Sequence, residues 1–224
     1  MRNIYIIISK TPTKFGKLIR KLGHQKYNHA SIALDDDLSH IYAFARKKHN
    51  APLLGGLVRE SLDRFTLRRD VSVPVIAFKI TVTEKQYENV YNIVHEMLDN
   101  PKYVYNLFSV FTYPFLRGFP VKHAYSCIEF VAYVLQYLGF LQDKIACKYK
   151  PDDLIYELRN FVYKQDDIRS CTTYNPTYNS YFDKFQFKTI PQSCFTVGRI
   201  IKHGFCTHPS KENLKTFHIT SSKL

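Results

Sequence analysis

At 224 residues, with 45% hydrophobic, 15% aromatic and 23% charged side chains, the chain has a folded composition and encloses one sizeable core, which excludes the disordered class. Its net charge of +13, from 32 Lys and Arg against 19 Asp and Glu, draws anionic partners without choosing among nucleic acid, anionic lipid and cell-wall polymer. The five cysteines, at 127, 147, 171, 194 and 206, are odd in number and lack paired spacing, which argues against a disulfide framework and for a reducing compartment, the cytoplasm.

Residues 4–9 read as a short buried strand, with no small-residue cleavage site of a signal peptide near them. Thr11-Pro12-Thr13 then offers a cap and a proline near a helix start, and Phe15, Leu18, Ile19 and Leu22 recur at helical spacing up to Gly23. Residues 27–34 form a strand ending in the acidic turn Asp35-Asp36-Asp37, and residues 40–46 a second strand close enough to pair with it as a hairpin. A loop over 47–54 leads, after a glycine turn, to a third short strand, Gly55-Gly56-Leu57-Val58-Arg59-Glu60, and a basic run ends at Arg68-Arg69.

Residues 71–83 alternate as a strand with an edge or bulge at Pro74, and Thr83-Glu84 opens a helix to about Leu98. Residues 100–123 are aromatic and broken by Pro101, Pro114, Gly118 and Pro120; a short helix fits near Leu107, and the rest reads as an apolar loop able to wall a cleft. A helix beginning at Cys127 ends at Gly139, and Lys150-Pro151-Asp152-Asp153-Leu154 opens another through Leu158, Phe161 and Val162. Residues 166–224 read as an appendage or a closing strand, with strand pattern at 194–201, plus a basic tail, so the expected division falls between 165 and 166. No run approaches the roughly 18 apolar residues of a membrane span, and no nucleic-acid recognition motif is present.

The chemistry concentrates at Tyr125-Ser126-Cys127-Ile128-Glu129-Phe130-Val131. Ser126 and Glu129 have the spacing of a capping box, which makes Cys127 the first helical residue. Unpaired N–H groups and the positive end of the helix dipole favour a thiolate there. A thiolate nucleophile needs an imidazole held by a rigid element, and His29 stands at the start of a strand.

Taken together, Asn28-His29-Ala30-Ser31-Ile32-Ala33-Leu34, Ile41-Tyr42-Ala43-Phe44, Gly56-Leu57-Val58 and the Cys127 segment resemble the circularly permuted branch of the NlpC-type papain-like hydrolases. That branch includes the YiiX/YaeF-like amidases and the lecithin:retinol acyltransferase-like enzymes. The resemblance covers roughly residues 1–165. It implies an α+β, permuted papain-like fold, with a small antiparallel sheet packed against the cysteine-bearing helix. It also implies Cys127 as nucleophile, His29 as its base, and the Cys127 backbone N–H as an oxyanion donor, which the Tyr125 hydroxyl could supplement. In the relatives a histidine or glutamate on the second hairpin strand orients the imidazole. Here Ala43 stands at that position, and Glu60 on the next strand, a backbone carbonyl or a water could substitute.

The expected function is a cysteine hydrolase or acyltransferase acting on an amide or ester, a substrate that the basic surface favours in anionic form. The alternative is a catalytically inactive papain-like module that holds an anionic partner on that surface. No cofactor is expected. His203, Cys206 and His208, with Cys194 upstream, lack the paired knuckles of a structural zinc site, and the triplet at 35–37 reads as a hairpin turn rather than a calcium loop.

Overall fold

The computed structural model describes residues 1–116, 118–172, 180–183 and 198. Six strands form one antiparallel sheet in the order β4-β3-β2-β1-β5-β8: β1 (Arg2–Ser9), β2 (His29–Ala33), β3 (Ile41–Lys48), β4 (Ala51–Glu60), β5 (Pro74–Val82) and β8 (Val162–Asp167). The β-branched run Ile4-Tyr5-Ile6-Ile7-Ile8 is fully or nearly fully buried because β1 sits near the middle of the sheet, paired with β2 on one side and β5 on the other. Two short strands, β6 (Val104–Tyr105) and β7 (Ala124–Tyr125), pair in parallel apart from this sheet.

Alternation along the strands sends side chains to two cores. On one face Ile4, Ile6, Ile8, Ile32, Phe44 and Phe78 meet helix α3 (Glu84–Asp99) and helix α5 (Cys127–Tyr137) through Val90, Val94, Phe130, Val131 and Val134. On the other face Tyr5, Ile7, Ala33, Ile41, Val75 and Ala77 meet Phe65 of helix α2 (Leu62–Thr66) and Ile168 of helix α7 (Ile168–Cys171). Helix α1 (Lys14–Gly23) is capped by Thr13, whose Oγ1 accepts from the Gly16 N–H at 2.9 Å. Helices α4 (Leu107–Leu116) and α6 (Pro151–Glu157) complete the set. The acidic turn is a hairpin turn: Asp35 accepts from the backbone N–H groups of Ser39 and His40 at 2.9 Å.

Four sequence expectations shift. The loop expected over 47–54 is mostly strand, because β3 and β4 extend to a tight turn between Lys48 and Ala51. The basic run before Arg68 contains α2, whose Phe65 is buried in the second core. Pro74 begins β5 rather than interrupting it, as suits a residue with no N–H to give a ladder. Helix α6 stops at Glu157; a 3-10 turn over Arg159–Phe161 then feeds β8, which runs past the division expected at 165. Apart from Gly198, the strand expected at 194–201 lies outside the described residues, as do Cys194, His203, Cys206 and His208.

Candidate active site

The start of α5 fixes the cysteine. Ser126 Oγ accepts from the Glu129 N–H at 3.2 Å, and Glu129 Oε2 accepts from the Ser126 N–H at 3.1 Å, so the capping box is complete and Cys127 is the first helical residue. Glu129 also accepts from Asn106 Nδ2 at 3.3 Å, which ties the cap to the segment between β6 and α4. Burial pushes the Glu129 carboxyl up to about 8, against the pull of these two hydrogen bonds. Behind the cap, Phe130, Val131, Val134 and Leu135 are fully buried and seat the helix on the sheet. About 0.8 kcal/mol per buried methylene makes that seat rigid.

The histidine is carried to the cysteine by a parting of strands. Strands β2 and β3 pair only at Ile32↔Tyr42 and Ala33↔Ile41. Ala30 lies just beyond the last paired position, and its backbone N–H donates to the Cys127 sulfur. His29 opens β2, is 9% exposed, and its ring lies close enough to Cys127 for the two charges to favour each other. Nε2 of the same ring lies 2.8 Å from Glu60 Oε2, which leaves Nδ1 for the sulfur. Phe65 meets the ring edge-on with centroids 6.0 Å apart, and this further fixes its plane.

Glu60, the last residue of β4, is 5% exposed and also accepts from Ser31 Oγ at 2.7 Å. Strand register explains how it reaches across β3. Glu60 pairs with Ile41, and alternation puts Ile41, Ala43, Ala33, Ser31 and His29 on one face of the sheet. Ala43, fully buried, presents only a methyl group on the strand that separates Glu60 from His29. The small side chain of Ala43 thus leaves the room that Glu60 uses.

Cys127, His29 and Glu60 line a cavity of about 80 Å³ with Thr11, Thr13, Asn28, Arg46, Arg64 and Tyr105 among its other walls. Tyr105, on β6, lines the cavity, and burial followed by the nearby Cys127 sulfur raises its hydroxyl well above the ordinary value. Tyr125, the expected side-chain donor, is instead packed against Phe44, Tyr133 and Tyr103 with centroids 5.3, 5.6 and 6.3 Å away, and it does not line the cavity. The two tyrosines are register partners on β6 and β7, and of the two only Tyr105 lines the cavity. Gly55 admits Tyr105: a Cβ at Gly55 would fall 2.4 Å from the Tyr105 Cβ. A glycine pair inside a strand marks such a close approach, and that signal could have found Tyr105 in the sequence.

Burial alone would keep all three groups neutral, and their contacts reverse this. Burial opposes a charge on His29, but Glu60 and the Cys127 thiolate hold its imidazole above the ordinary 6.5, at about 10. Burial likewise raises the Cys127 thiol, yet the His29 imidazolium beside it, with the Ala30 N–H, brings it below its ordinary value. Glu60 lies below the usual carboxylate range for the same reason: burial is outweighed by His29, Arg64 and the Ser31 hydroxyl. Cys147 is the contrast, its thiol pushed up to about 12 by burial. The arrangement favours a thiolate and imidazolium pair, beside a carboxylate, at the positive end of a helix. Such a pair can attack an electrophilic carbon and hand a proton to what leaves. The chain matches no model of a known protein family and no curated protein.

Proposed function

We propose that the protein is a cysteine hydrolase or acyltransferase with a permuted papain-like fold, acting on an amide, as in a peptide or cell-wall peptide, or on an ester. The observation that supports this reading is that Cys127, at the start of α5, shares one cavity with His29, whose Nε2 lies 2.8 Å from Glu60 Oε2. The Cys127 thiolate attacks the substrate carbonyl carbon, forming a C–S bond while the negative charge moves to the carbonyl oxygen. The backbone N–H of Cys127 and the positive end of α5 stabilise that oxyanion. The tetrahedral species collapses, the C–N or C–O bond breaks, and the His29 imidazolium gives its proton to the leaving amine or alcohol. The neutral imidazole then takes a proton from water or another acceptor as it attacks the thioester, and the thiolate leaves. Free Cys127, Cys147 and Cys171 suit a reducing compartment, and the cytoplasm is the proposed location. Among the described residues no helix is long and apolar enough to cross a membrane.

The test is alkylation by iodoacetamide at pH 6, read peptide by peptide by mass spectrometry. Cys127 is expected to react at least about 100-fold faster than Cys147, because only the thiolate is nucleophilic. His29→Ala should remove that advantage. Labelling of Cys127 no faster than Cys147 overturns the reading in favour of a binding module.

A further inference from the structure

Arg64 enters the cavity from α2 in an unusual state for a guanidinium. It is only 8% exposed, its Nη2 donates to the Arg46 carbonyl at 2.7 Å, and its plane lies over the Tyr181 ring, 4.1 Å from the centroid. Its Nε is buried with no hydrogen-bond acceptor among the described residues. A buried donor on a charged group is costly to leave without an acceptor. Arg46, half-buried on β3, lines the same cavity and donates to the Tyr181 hydroxyl at 3.2 Å.

Glu60 favours the charge on Arg64, but it also faces His29 at 2.8 Å, so its single negative charge is shared among the cations of this wall. Counting Cys127 as thiolate and His29 as imidazolium, two guanidiniums and one imidazolium face one carboxylate and one thiolate, which leaves the cavity positive. The first turn of α1, with Thr13 and Gly16, forms part of the same wall and adds the positive end of its dipole.

We propose that this wall is a subsite for a carboxylate of the substrate, with the Arg64 and Arg46 guanidiniums as its two positive charges. The inference rests on Cys127 as nucleophile and names the substrate class: an amide or ester carrying a carboxylate close to the scissile bond. The Arg64 guanidinium, placed 4.1 Å from the Tyr181 ring centroid, is a planar group that matches a planar carboxylate. The small cavity suits such a group without a bulky substituent.

Two alkylating agents of one shape test it. Iodoacetate and iodoacetamide both form an S–C bond as the C–I bond breaks and iodide leaves, and only the first carries a carboxylate. The readout is the ratio of their rates at Cys127, at pH 6.5 and fixed ionic strength. Because His29 attracts iodoacetate by itself, the comparison is between wild type and Arg64→Met, in which the ratio is expected to fall about tenfold. Should Arg64→Met not fold, Arg46→Met, which removes the second positive charge and leaves His29 in place, is read by the same ratio, which is expected to fall; in wild type, propionate is also expected to protect Cys127 from iodoacetamide at about tenfold lower concentration than propionamide. Fast iodoacetamide labelling with an unchanged ratio in folded Arg64→Met, or without protection by propionate, overturns the subsite and leaves the nucleophile standing. Stronger protection by inorganic phosphate than by propionate overturns the choice of carboxylate. Wild-type Cys127 labelled no faster than Cys147 overturns the nucleophile reading and the subsite with it.

Discussion

Glu60→Gln isolates the charge of the group that orients the imidazole, since glutamine keeps the shape and an oxygen able to accept. In the wild type the His29 imidazole is held at about 10 against an ordinary 6.5. A hydrogen bond to a charged group contributes about 1.5–3 kcal/mol, and at about 1.4 kcal/mol per pH unit its loss lowers the His29 titration by roughly one to two pH units. The assay is ¹⁵N NMR of histidine-labelled protein between pH 5 and 11, with His29 assigned by its absence in His29→Gln. The same charge has a signature in stability. Because folding raises the imidazole above its unfolded value, its contribution is complete below about pH 6.5 and is lost as the pH climbs towards about 10. The urea stability of wild type should therefore exceed that of Glu60→Gln most at pH 6 and converge with it near pH 10. A His29 that titrates at the same pH in both proteins refutes the reasoning.

Three other substitutions separate neighbouring roles. Tyr105→Phe removes a hydroxyl near the Cys127 sulfur and should raise the thiol, slowing iodoacetamide at pH 6 by roughly five- to tenfold; Tyr125→Phe, with its ring in the core, should leave that rate unchanged, and equal effects would contradict the assignment. Ser126→Ala deletes the cap of α5 and is expected to cost about 1 kcal/mol, read as a lower urea midpoint at constant slope. Gly118→Ala combines a φ of +89° with a Cβ 1.9 Å from the Cys147 carbonyl oxygen. Strain and clash together should cost about 1–3 kcal/mol or more, and an unchanged thermal midpoint would show that the Gly118 backbone can move aside.

Local chemistry made half of the site legible. The cap of α5 depends on Ser126 and Glu129 three residues apart, and such spacing can be read without knowing the fold. His29 could be read from its place at a strand start. Glu60 could be named only as one candidate, because its contact with His29 spans 31 residues and crosses an intervening strand. Nothing local to Glu60 encodes that reach; Ala43 on β3 does, jointly with the register. Tyr105 left only an indirect signal, the Gly55-Gly56 pair: it lies in an aromatic stretch in which Tyr103, Tyr105, Phe108 and Tyr125 look alike, and only the assembled fold decides which of them lines the cavity. The missed start of β8 shows the limit of periodicity, since Leu154 and Leu158 bury at helical spacing and the 3-10 turn continues that rhythm before the chain extends.

The wide spacing of the three residues also makes the site a clock. His29, Glu60 and Cys127 come from β2, β4 and α5, and their contacts exist only after the hairpin strands have paired and α5 has docked on the sheet. Contacts so distant in sequence form late, because loop closure must precede them. A thiol outside that assembly has only its ordinary reactivity. The fast alkylation of Cys127 therefore times the final docking of α5 during refolding, with Cys147 in the same chain as the internal standard for burial alone.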